Sequence, residues 1–109
     1  MAGATKHRIR VASSSRWNVV VPRDVIAARG DIIEFKSVGE KNVTIMFPNE
    51  ALFGPSSRAI DLNGDRAWKM ELTVPADAEL GAYPFVVYCD ENKDYAEGNP
   101  PPRMIIIDD

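Results

Sequence analysis

The chain has 109 residues, of which 45% are hydrophobic, and its formal net charge is -3. This length supports one hydrophobic core, so we expect a single globular domain over residues 1-109. The negative charge argues against nucleic acid as a partner, because nucleic-acid-binding proteins need clustered Lys and Arg side chains to displace counterions from phosphates.

No apolar run approaches the ~20 residues that span a bilayer, and the first 30 residues contain no secretory hydrophobic segment. We therefore expect no membrane partner. A cytoplasmic location is expected for the chain as it stands, and a periplasmic one is possible if a signal peptide has been removed. Cys89 is the only cysteine, which excludes an intrachain disulfide and fits a reducing compartment.

Short segments of alternating apolar and polar residues predict β-strands in the first half of the chain. Basic and apolar residues alternate over 6–10, which favours a solvated strand edge. Gly30 and Asp31 predict a tight turn that leads into the next strand. The further strands predicted in this half cover residues 17–21, 24–28, 32–36 and 42–47.

The second half continues this pattern. The clearest alternation runs over 68–74, and two more strands are predicted at 82–88 and 104–107. Residues 49–66 predict a packed excursion with a helical turn, in which Asn63 and Gly64 form a tight hairpin turn. The fold predicted from these elements is an all-β, Greek-key β-sandwich of about seven or eight strands.

Residues 90–102 contrast with the strands around them, because acidic and polar side chains are followed by three consecutive prolines. This composition predicts an extended, strand-free connection. The inward-facing positions of the predicted strands define a core. Its expected members are Trp17, Phe35, Trp68, Met70, Leu72, Phe85 and Val87.

The order of these features resembles the cupredoxin family, the fold of plastocyanin and azurin. The resemblance covers residues 17–107. It depends on four motifs. The first two are a Gly-Asp turn into a strand within 25–35 and a Lys-Asn-Val sequence at 41–43, where the family has His-Asn-Val. The other two are a Gly-x-Tyr strand that ends in Tyr-Cys over 81–89 and a closing strand at 104–107. Each motif is short, and their order and spacing carry the comparison.

The resemblance also implies where copper ligands would lie. A blue-copper site needs a thiolate and two imidazoles, usually with a weak axial methionine. The corresponding positions hold Lys41, Cys89, Asn92 and Glu97, and His7 is the only histidine in the chain. One histidine cannot supply two ligands. We therefore expect no type-1 copper and no cofactor, and we interpret the four positions as vestiges of a metal site.

Cys89 has two interpretations. In the first, it shares the inward face of its strand and packs as a small hydrophobic side chain. In the second, it is a reactive or metal-binding thiolate. The carboxylates of Asp90 and Glu91 follow it directly, and their charge would raise the thiol pKa and disfavour the thiolate. We therefore favour a structural cysteine.

Three classes of function follow. The first is a non-enzymatic module, with the metal site lost, that serves a binding or structural role for an unknown protein or small-molecule partner. Its candidate contact surface contains an aromatic side chain and a semi-rigid proline rim. The members of this surface are Tyr95, Pro100, Pro101 and Pro102. The prolines are equally well explained as a spacer before the last strand.

The second class is a copper or electron-transfer protein with non-standard ligands around Cys89. Those ligands would be drawn from His7, Met46, Glu97 and Met104. The third class is an enzyme that uses carboxylates. It ranks last because the chain offers no nucleophile, base and orienting group in a recognisable arrangement.

Overall fold

The computed structural model describes residues 4–14, 17–96 and 101–108. Within these ranges the chain forms eleven β-strands and two short 3₁₀ turns, Pro55–Arg58 and Gly64–Arg66. The strands are β1 (Lys6–Ser13), β2 (Asn18–Val21), β3 (Asp24–Ala28), β4 (Ile32–Ser37), β5 (Val43–Met46), β6 (Ile60–Leu62), β7 (Lys69–Thr73), β8 (Gly81–Pro84), β9 (Val86–Cys89), β10 (Asp94–Tyr95) and β11 (Arg103–Ile107). The prediction of an all-β chain is confirmed.

The strands are arranged in three sheets. The first has the order β2-β1-β4-β7, the second β10-β9-β5-β6 and the third β3-β11-β8. β1 is parallel to β4, and β11 is parallel to β3, whereas the other pairs are antiparallel. The apolar faces of these sheets meet in one core, which makes the molecule a β-sandwich. No helix in the described ranges is long and apolar enough to cross a membrane.

Three phenylalanines occupy the centre of this core, and all three are fully buried. The ring of Phe85 lies 5.5 Å from that of Phe35 and 5.1 Å from that of Phe47, measured between centroids. Phe35 belongs to β4, and Phe47 directly follows β5. The cluster therefore joins the first and second sheets through edge-on and tilted aromatic contacts, a favourable geometry for such rings.

The described ranges contain more strands than the seven or eight predicted. The run predicted at 82–88 is divided at Phe85, because β8 pairs with β11 in the third sheet and β9 pairs with β5 in the second. The backbone N–H of Phe85 donates to the carbonyl of Pro102, 2.9 Å away. β6 lies inside the predicted excursion. β10 forms within residues 90–102, so the prediction of a strand-free connection there is wrong.

The predicted core is correct in part. Phe35, Phe85 and Val87 are buried, and Met70 and Leu72 are half-buried against the core. The alternation along β7 is therefore confirmed. These side chains face inward because residues two apart on a strand share a face.

The two tryptophans differ from the prediction. Trp17 is 63% exposed, because the first inward position of β2 belongs to Asn18. Trp68 is half-buried at the start of β7, and its indole N–H donates to Oδ1 of Asn42 at 3.0 Å. Trp17 was assigned to the core because a tryptophan before a valine run has the composition of a strand.

The hairpin turn predicted at Asn63 and Gly64 is absent. Asn63 is extended and caps the second 3₁₀ turn, where its Oδ1 accepts from the N–H of Asp65 at 3.1 Å. The positive φ angles fall instead at Ala67 and Trp68, at 54° and 56°. The backbone N–H of Trp68 closes this longer loop by donating to the carbonyl of Asn63 at 2.9 Å.

The basic segment is a strand edge over residues 6–9, as predicted, because β2 pairs with β1 only over residues 10–13, where β1 lies between β2 and β4. Its outward side chains, Lys6, Arg8 and Arg10, are exposed as expected for a solvated face. The inward position at this end of β1 holds His7, whose Nε2 lies 2.8 Å from Oδ2 of Asp31.

The turn at Gly30 and Asp31 is confirmed, with Gly30 at φ 86°. The Asp31 carboxylate accepts from the backbone N–H of Ala28 at 2.9 Å and of Thr5 at 3.1 Å. Burial raises the pKa of this carboxyl, but the hydrogen bonds from Ala28, His7 and Thr5 outweigh burial and hold the pKa below its usual value. The ionised form is therefore the one that the fold stabilises.

Because the pKa of Asp31 is lower in the folded state than in the unfolded state, the free energy of unfolding depends on pH in acid. The stabilisation from Asp31 is present above its unfolded-state pKa of about 3.9 and is lost as the pH falls through the lower folded-state value. We expect the free energy of unfolding to decrease with acid below about pH 4, and Asp31→Asn to flatten this dependence. Urea unfolding between pH 2 and 7 measures it. Asp77→Asn, at an exposed position, is the control; an equal flattening there would contradict the assignment.

Candidate functional site

Three of the four positions that the resemblance assigns to metal ligands lie near one end of the sandwich. Cys89 ends β9 and is the register partner of Val43 at the start of β5. Lys41 lies two residues before Val43, and Asn92 lies in the turn between β9 and β10. The fourth position, Glu97, lies outside the described residues.

Cys89 is fully buried and shares an inward face with Val87 and Tyr83, as predicted. Burial raises the pKa of its thiol; a hydrogen bond with Ser13 lowers the pKa in part, and the charges of Asp90 and Asp94 raise it further. The thiol is consequently neutral near pH 7. A neutral, inaccessible thiol is neither a good nucleophile nor a good metal ligand.

Asn92 forms a reciprocal amide pair with Asn18 of β2. Nδ2 of Asn18 donates to Oδ1 of Asn92 at 2.9 Å, and Nδ2 of Asn92 donates to Oδ1 of Asn18 at 2.7 Å. Nδ2 of Asn92 also donates to the carbonyl of Ser14 at 2.9 Å, and the Ser13 hydroxyl donates to Oδ1 of Asn18 at 2.6 Å. We call Ser13, Asn18 and Asn92 the amide network.

Local structure holds this network in place. Ser13 and Asn18 are register partners at the end of the β1-β2 hairpin, where the Ser14 N–H donates to the carbonyl of Trp17 at 2.7 Å. On the other side, pairing of Asp94 with Cys89 turns the chain back after β9 and brings Asn92 against β2. Asn18 is only 3% exposed, so its polar groups need these partners.

Sequence reasoning missed Ser13 and Asn18. The available signal was the position of Asn18, two residues before the buried Val20 on the inward face of β2. A polar side chain at an inward position is expected to have a hydrogen-bonding partner. Nothing in the sequence identifies that partner as Asn92.

Lys41 is half-buried, and its backbone carbonyl accepts from the Ser37 hydroxyl at 2.5 Å. In the part of the chain that the structure describes, Lys41 takes part in no ion pair. An ammonium group is a protonated donor without a lone pair, so it does not coordinate a metal ion at neutral pH. Its charge also repels a cation approaching Cys89.

These donors do not fit copper. Cys89 offers a neutral thiol, Asn92 offers an amide whose oxygen and nitrogen already have partners, and Lys41 offers an ammonium group. A type-1 site requires a thiolate and two imidazoles in a plane. Within the described ranges, no group of three or more His, Cys, Asp or Glu side chains is placed to hold a metal ion.

Of the non-standard ligand set, Glu97 lies outside the described residues, and the strands show where the other three lie relative to Cys89. His7 lies six residues before Ser13 in β1, which corresponds to about 20 Å along an extended strand. Met104 pairs with Tyr83 rather than with Cys89. Met46 pairs with Val86, at the opposite end of β9 from Cys89. In the strand pairing, none of these three residues lies beside Cys89.

The candidate contact surface is divided in the structure. Tyr95 is 56% exposed, and its ring makes an edge-on contact with that of Tyr88 at 5.2 Å. Pro101 is exposed, whereas Pro102 is buried and its carbonyl accepts from Phe85. Pro102 is therefore not accessible to a partner, and the spacer interpretation of the prolines stays a prediction. Pro100 lies outside the described residues.

A second exposed aromatic side chain lies at the same end. Trp17 directly precedes Asn18, whose Nδ2 lies 3.5 Å from the carbonyl of Asp94, and Tyr95 directly follows Asp94. The backbones that carry Trp17 and Tyr95 are thus adjacent. We call Trp17, Tyr88 and Tyr95 the aromatic end.

No family model and no curated protein sequence matches the chain. Solved structures do match it. Plastocyanin from the fern Dryopteris crassirhizoma aligns at 18% identity over 93% of this chain and 100% of that one, with a TM-score of 0.60. The purple cupredoxin from Nitrosopumilus maritimus aligns at 12% identity over 92% and 98%, with a TM-score of 0.56.

A copper(I) form of an amicyanin variant aligns at 13% identity, with a TM-score of 0.51. That alignment covers 98% of this chain and 85% of that one. Identities this low establish the architecture and leave the chemistry to the residues of this chain. The sheet order, the position of Cys89 at the end of β9 and these structural matches together show that the chain has a cupredoxin-like fold.

Proposed function

We propose that this protein is a non-enzymatic, metal-free cupredoxin-like module that acts by binding a partner. The observation that carries the proposal is the reciprocal pair between Asn18 and Asn92. Asn92 stands where the resemblance places a histidine ligand, and its amide is bound on both sides instead of being directed at a metal.

The amide network also has a mechanical role in this proposal. It ties the β9-β10 turn, which carries Asn92, to the β1-β2 hairpin, which carries Ser13 and Asn18. Asn18 is buried, so leaving its amide unpaired would cost about 1–3 kcal/mol, and its hydrogen bonds with Asn92 hold the two loops in one relative position. In this proposal these hydrogen bonds order this end of the sandwich in place of a metal ion.

The partner-binding surface in this proposal is the aromatic end. Trp17 and Tyr95 are 63% and 56% exposed, although aromatic side chains of this size are usually well buried. Tryptophan and tyrosine are enriched where proteins bind one another, because they bury large areas at a low entropic cost. The amide network fixes the two backbones from which they project.

Copper titration tests the metal-free part of the proposal. On addition of copper(II) and, separately, copper(I) under reducing conditions, we expect no stoichiometric binding and no intense visible absorption from a thiolate-copper bond. The physical reason is the absence of a second imidazole and the neutral state of Cys89. Lys41→His combined with Asn92→His is the matched positive control, since it supplies both imidazoles beside the same thiol.

A blue or green colour in the native protein that Cys89→Ser or His7→Ala abolishes would overturn the proposal and establish the copper-binding alternative. The docking part is tested with immobilised protein. A partner that binds the native protein should be lost from Trp17→Ser/Tyr95→Ser and retained by Ile26→Ser/Ile107→Ser, which removes two exposed apolar side chains from the third sheet. Equal retention by both variants would exclude the aromatic end.

A further inference from the structure

The outer face of the first sheet carries charged side chains in register across three strands. Residues two apart on a strand share a face, so the outward positions of β1, β4 and β7 form rows that cross the sheet. In one row, Arg8 of β1 is the register partner of Glu34 of β4, which is the partner of Glu71 of β7. This row contains both carboxylates of the face.

Both carboxylates are already neutralised by neighbouring cations. Nζ of Lys6 lies 3.1 Å from Oε2 of Glu34 and 2.7 Å from Oε2 of Glu71. Nε of Arg8 lies 3.6 Å from Oε1 of Glu34. These two cations and two anions therefore balance one another.

The next row contains only cations. Arg10 of β1 is the register partner of Lys36 of β4, which is the partner of Lys69 of β7. Neighbouring strands lie about 4.8 Å apart, so the row spans roughly 10 Å. All three side chains are exposed, and no ion pair within the described ranges involves them. The face thus carries a surplus of three positive charges in a chain whose net charge is -3.

This row opposes the stability of the sheet, because like charges directly opposite one another on neighbouring strands repel. In the row of Arg8, the opposed carboxylates of Glu34 and Glu71 are bridged by Lys6, which relieves their repulsion. In the row of Lys36, the charge of Glu34 relieves the repulsion in part through Lys69, and the rest of its free energy is available to an anion that binds there. An anionic partner would remove the repulsion and add attraction.

An open depression of about 530 Å³ adjoins the row. It is lined by Lys36, Ser37, Gly39, Glu40, Ala67 and Trp68. The indole of Trp68 is held there by its hydrogen bond to Asn42. The depression therefore combines one cation of the row, Lys36, and the Glu40 carboxylate with a hydrogen-bonded aromatic ring.

The backbone around the depression is strained. Glu40, Ala67 and Trp68 have φ angles of 57°, 54° and 56°, and they are three of the four non-glycine residues with positive φ in the described ranges. Such conformations are unfavourable for residues with a side chain and are concentrated at ligand-binding sites. The turn at Ala67 and Trp68 brings Trp68 into the same depression as Lys36 of the cationic row.

We propose that Arg10, Lys36, Lys69 and the adjoining depression, which we call the basic face, bind an acidic segment of a partner polypeptide. Its carboxylates contact the cationic row, and one of its apolar side chains packs against Trp68. The basic face is separate from the aromatic end, so this proposal does not depend on the metal-free function proposed above.

The size and charge of the basic face favour a polypeptide over other anions. A small-molecule site usually buries most of its ligand, whereas this depression is open and the row extends beyond it. Nucleic acid is disfavoured because its affinity depends on neutralising a continuous run of phosphates, and the row offers only three cations beyond the balanced row of Glu34 and Glu71. An extended acidic segment can place its charges on the row alone.

The test uses a labelled twelve-residue peptide of Glu and Asp with one central Phe. We expect it to bind the native protein and to shift the amide resonances of Arg10, Lys36 and Lys69 and the indole N–H of Trp68. Arg10→Gln/Lys36→Gln/Lys69→Gln should weaken binding at least tenfold in low salt. The matched control, Arg29→Gln/Arg58→Gln/Lys93→Gln, removes the same charge elsewhere and should change affinity less than twofold.

Two further arms distinguish the ligand chemistry. The native protein should bind a peptide with Ala in place of Phe several-fold more weakly than the Phe peptide. The Trp68→Ala variant should bind the two peptides equally, because it lacks the ring that the Phe contacts. Raising the salt from 20 to 200 mM should weaken binding, since screening shortens the range of the attraction. The proposal is overturned if the control variant loses as much affinity, if the shifts lie elsewhere, or if inorganic phosphate or duplex DNA binds more tightly than the peptide.

Discussion

Phe85→Ala should lower the free energy of unfolding by about 3–5 kcal/mol, the range for truncating a buried phenylalanine. Phe85 is fully buried and its ring contacts those of Phe35 and Phe47. Its backbone also lies where the chain passes from the third sheet to the second. Truncation therefore leaves a cavity at the junction of all three sheets.

Urea unfolding followed by tryptophan fluorescence and circular dichroism measures this loss. If Phe85→Ala is unfolded without urea, Phe85→Leu should remain folded with a smaller loss, because it preserves most of the apolar volume. Ile107→Ala is the control. Ile107 is 44% exposed and should cost under about 1 kcal/mol. A loss for Phe85→Ala no larger than that of Ile107→Ala would show that the aromatic cluster does not organise the core.

The period-two pattern predicted the inward face of β8 and β9 even though it did not predict their division. Tyr83, Phe85, Val87 and Cys89 are all buried, because the chain changes sheets without changing the alternation of its side chains. Trp17 shows where this reasoning fails. Alternation fixes which residues share a face, but it does not reveal where a strand begins, and Trp17 lies just outside β2.

The sequence predicts which copper ligands are missing from the candidate site, but it does not predict the hydrogen bonds that form there instead. Residue identity alone shows that Lys41 and Asn92 stand where imidazoles would be needed. The partner of Asn92 could not be found, because Asn18 is 74 residues away in the sequence and both are single polar residues without a repeating pattern. Tertiary packing decides which polar groups meet. The basic face was hidden for the same reason, since its register joins three separate strands.

The amide network should be energetically coupled. Asn18→Ala and Asn92→Ala should each lower the free energy of unfolding by about 1–3 kcal/mol, because Asn92→Ala leaves the buried Asn18 amide without its partner and Asn18→Ala removes the partner of the half-buried Asn92 amide. The loss in the double variant should be smaller than the sum of the two by about 1 kcal/mol or more, since the second truncation removes groups that the first left unpaired. Urea unfolding of the four proteins at one pH gives this coupling energy.

The pair formed by Thr44 and Asp61 is the matched control. The Thr44 hydroxyl donates to Oδ1 of Asp61 at 2.8 Å across β5 and β6, in an exposed position where water replaces a lost partner. Its coupling energy should therefore stay below about 0.5 kcal/mol. Additive losses for Asn18 and Asn92 would mean that the amide pair does not tie the β9-β10 turn to the β1-β2 hairpin. The ordered end of the sandwich would then need another source of stability, and bound metal would return as the first alternative to test.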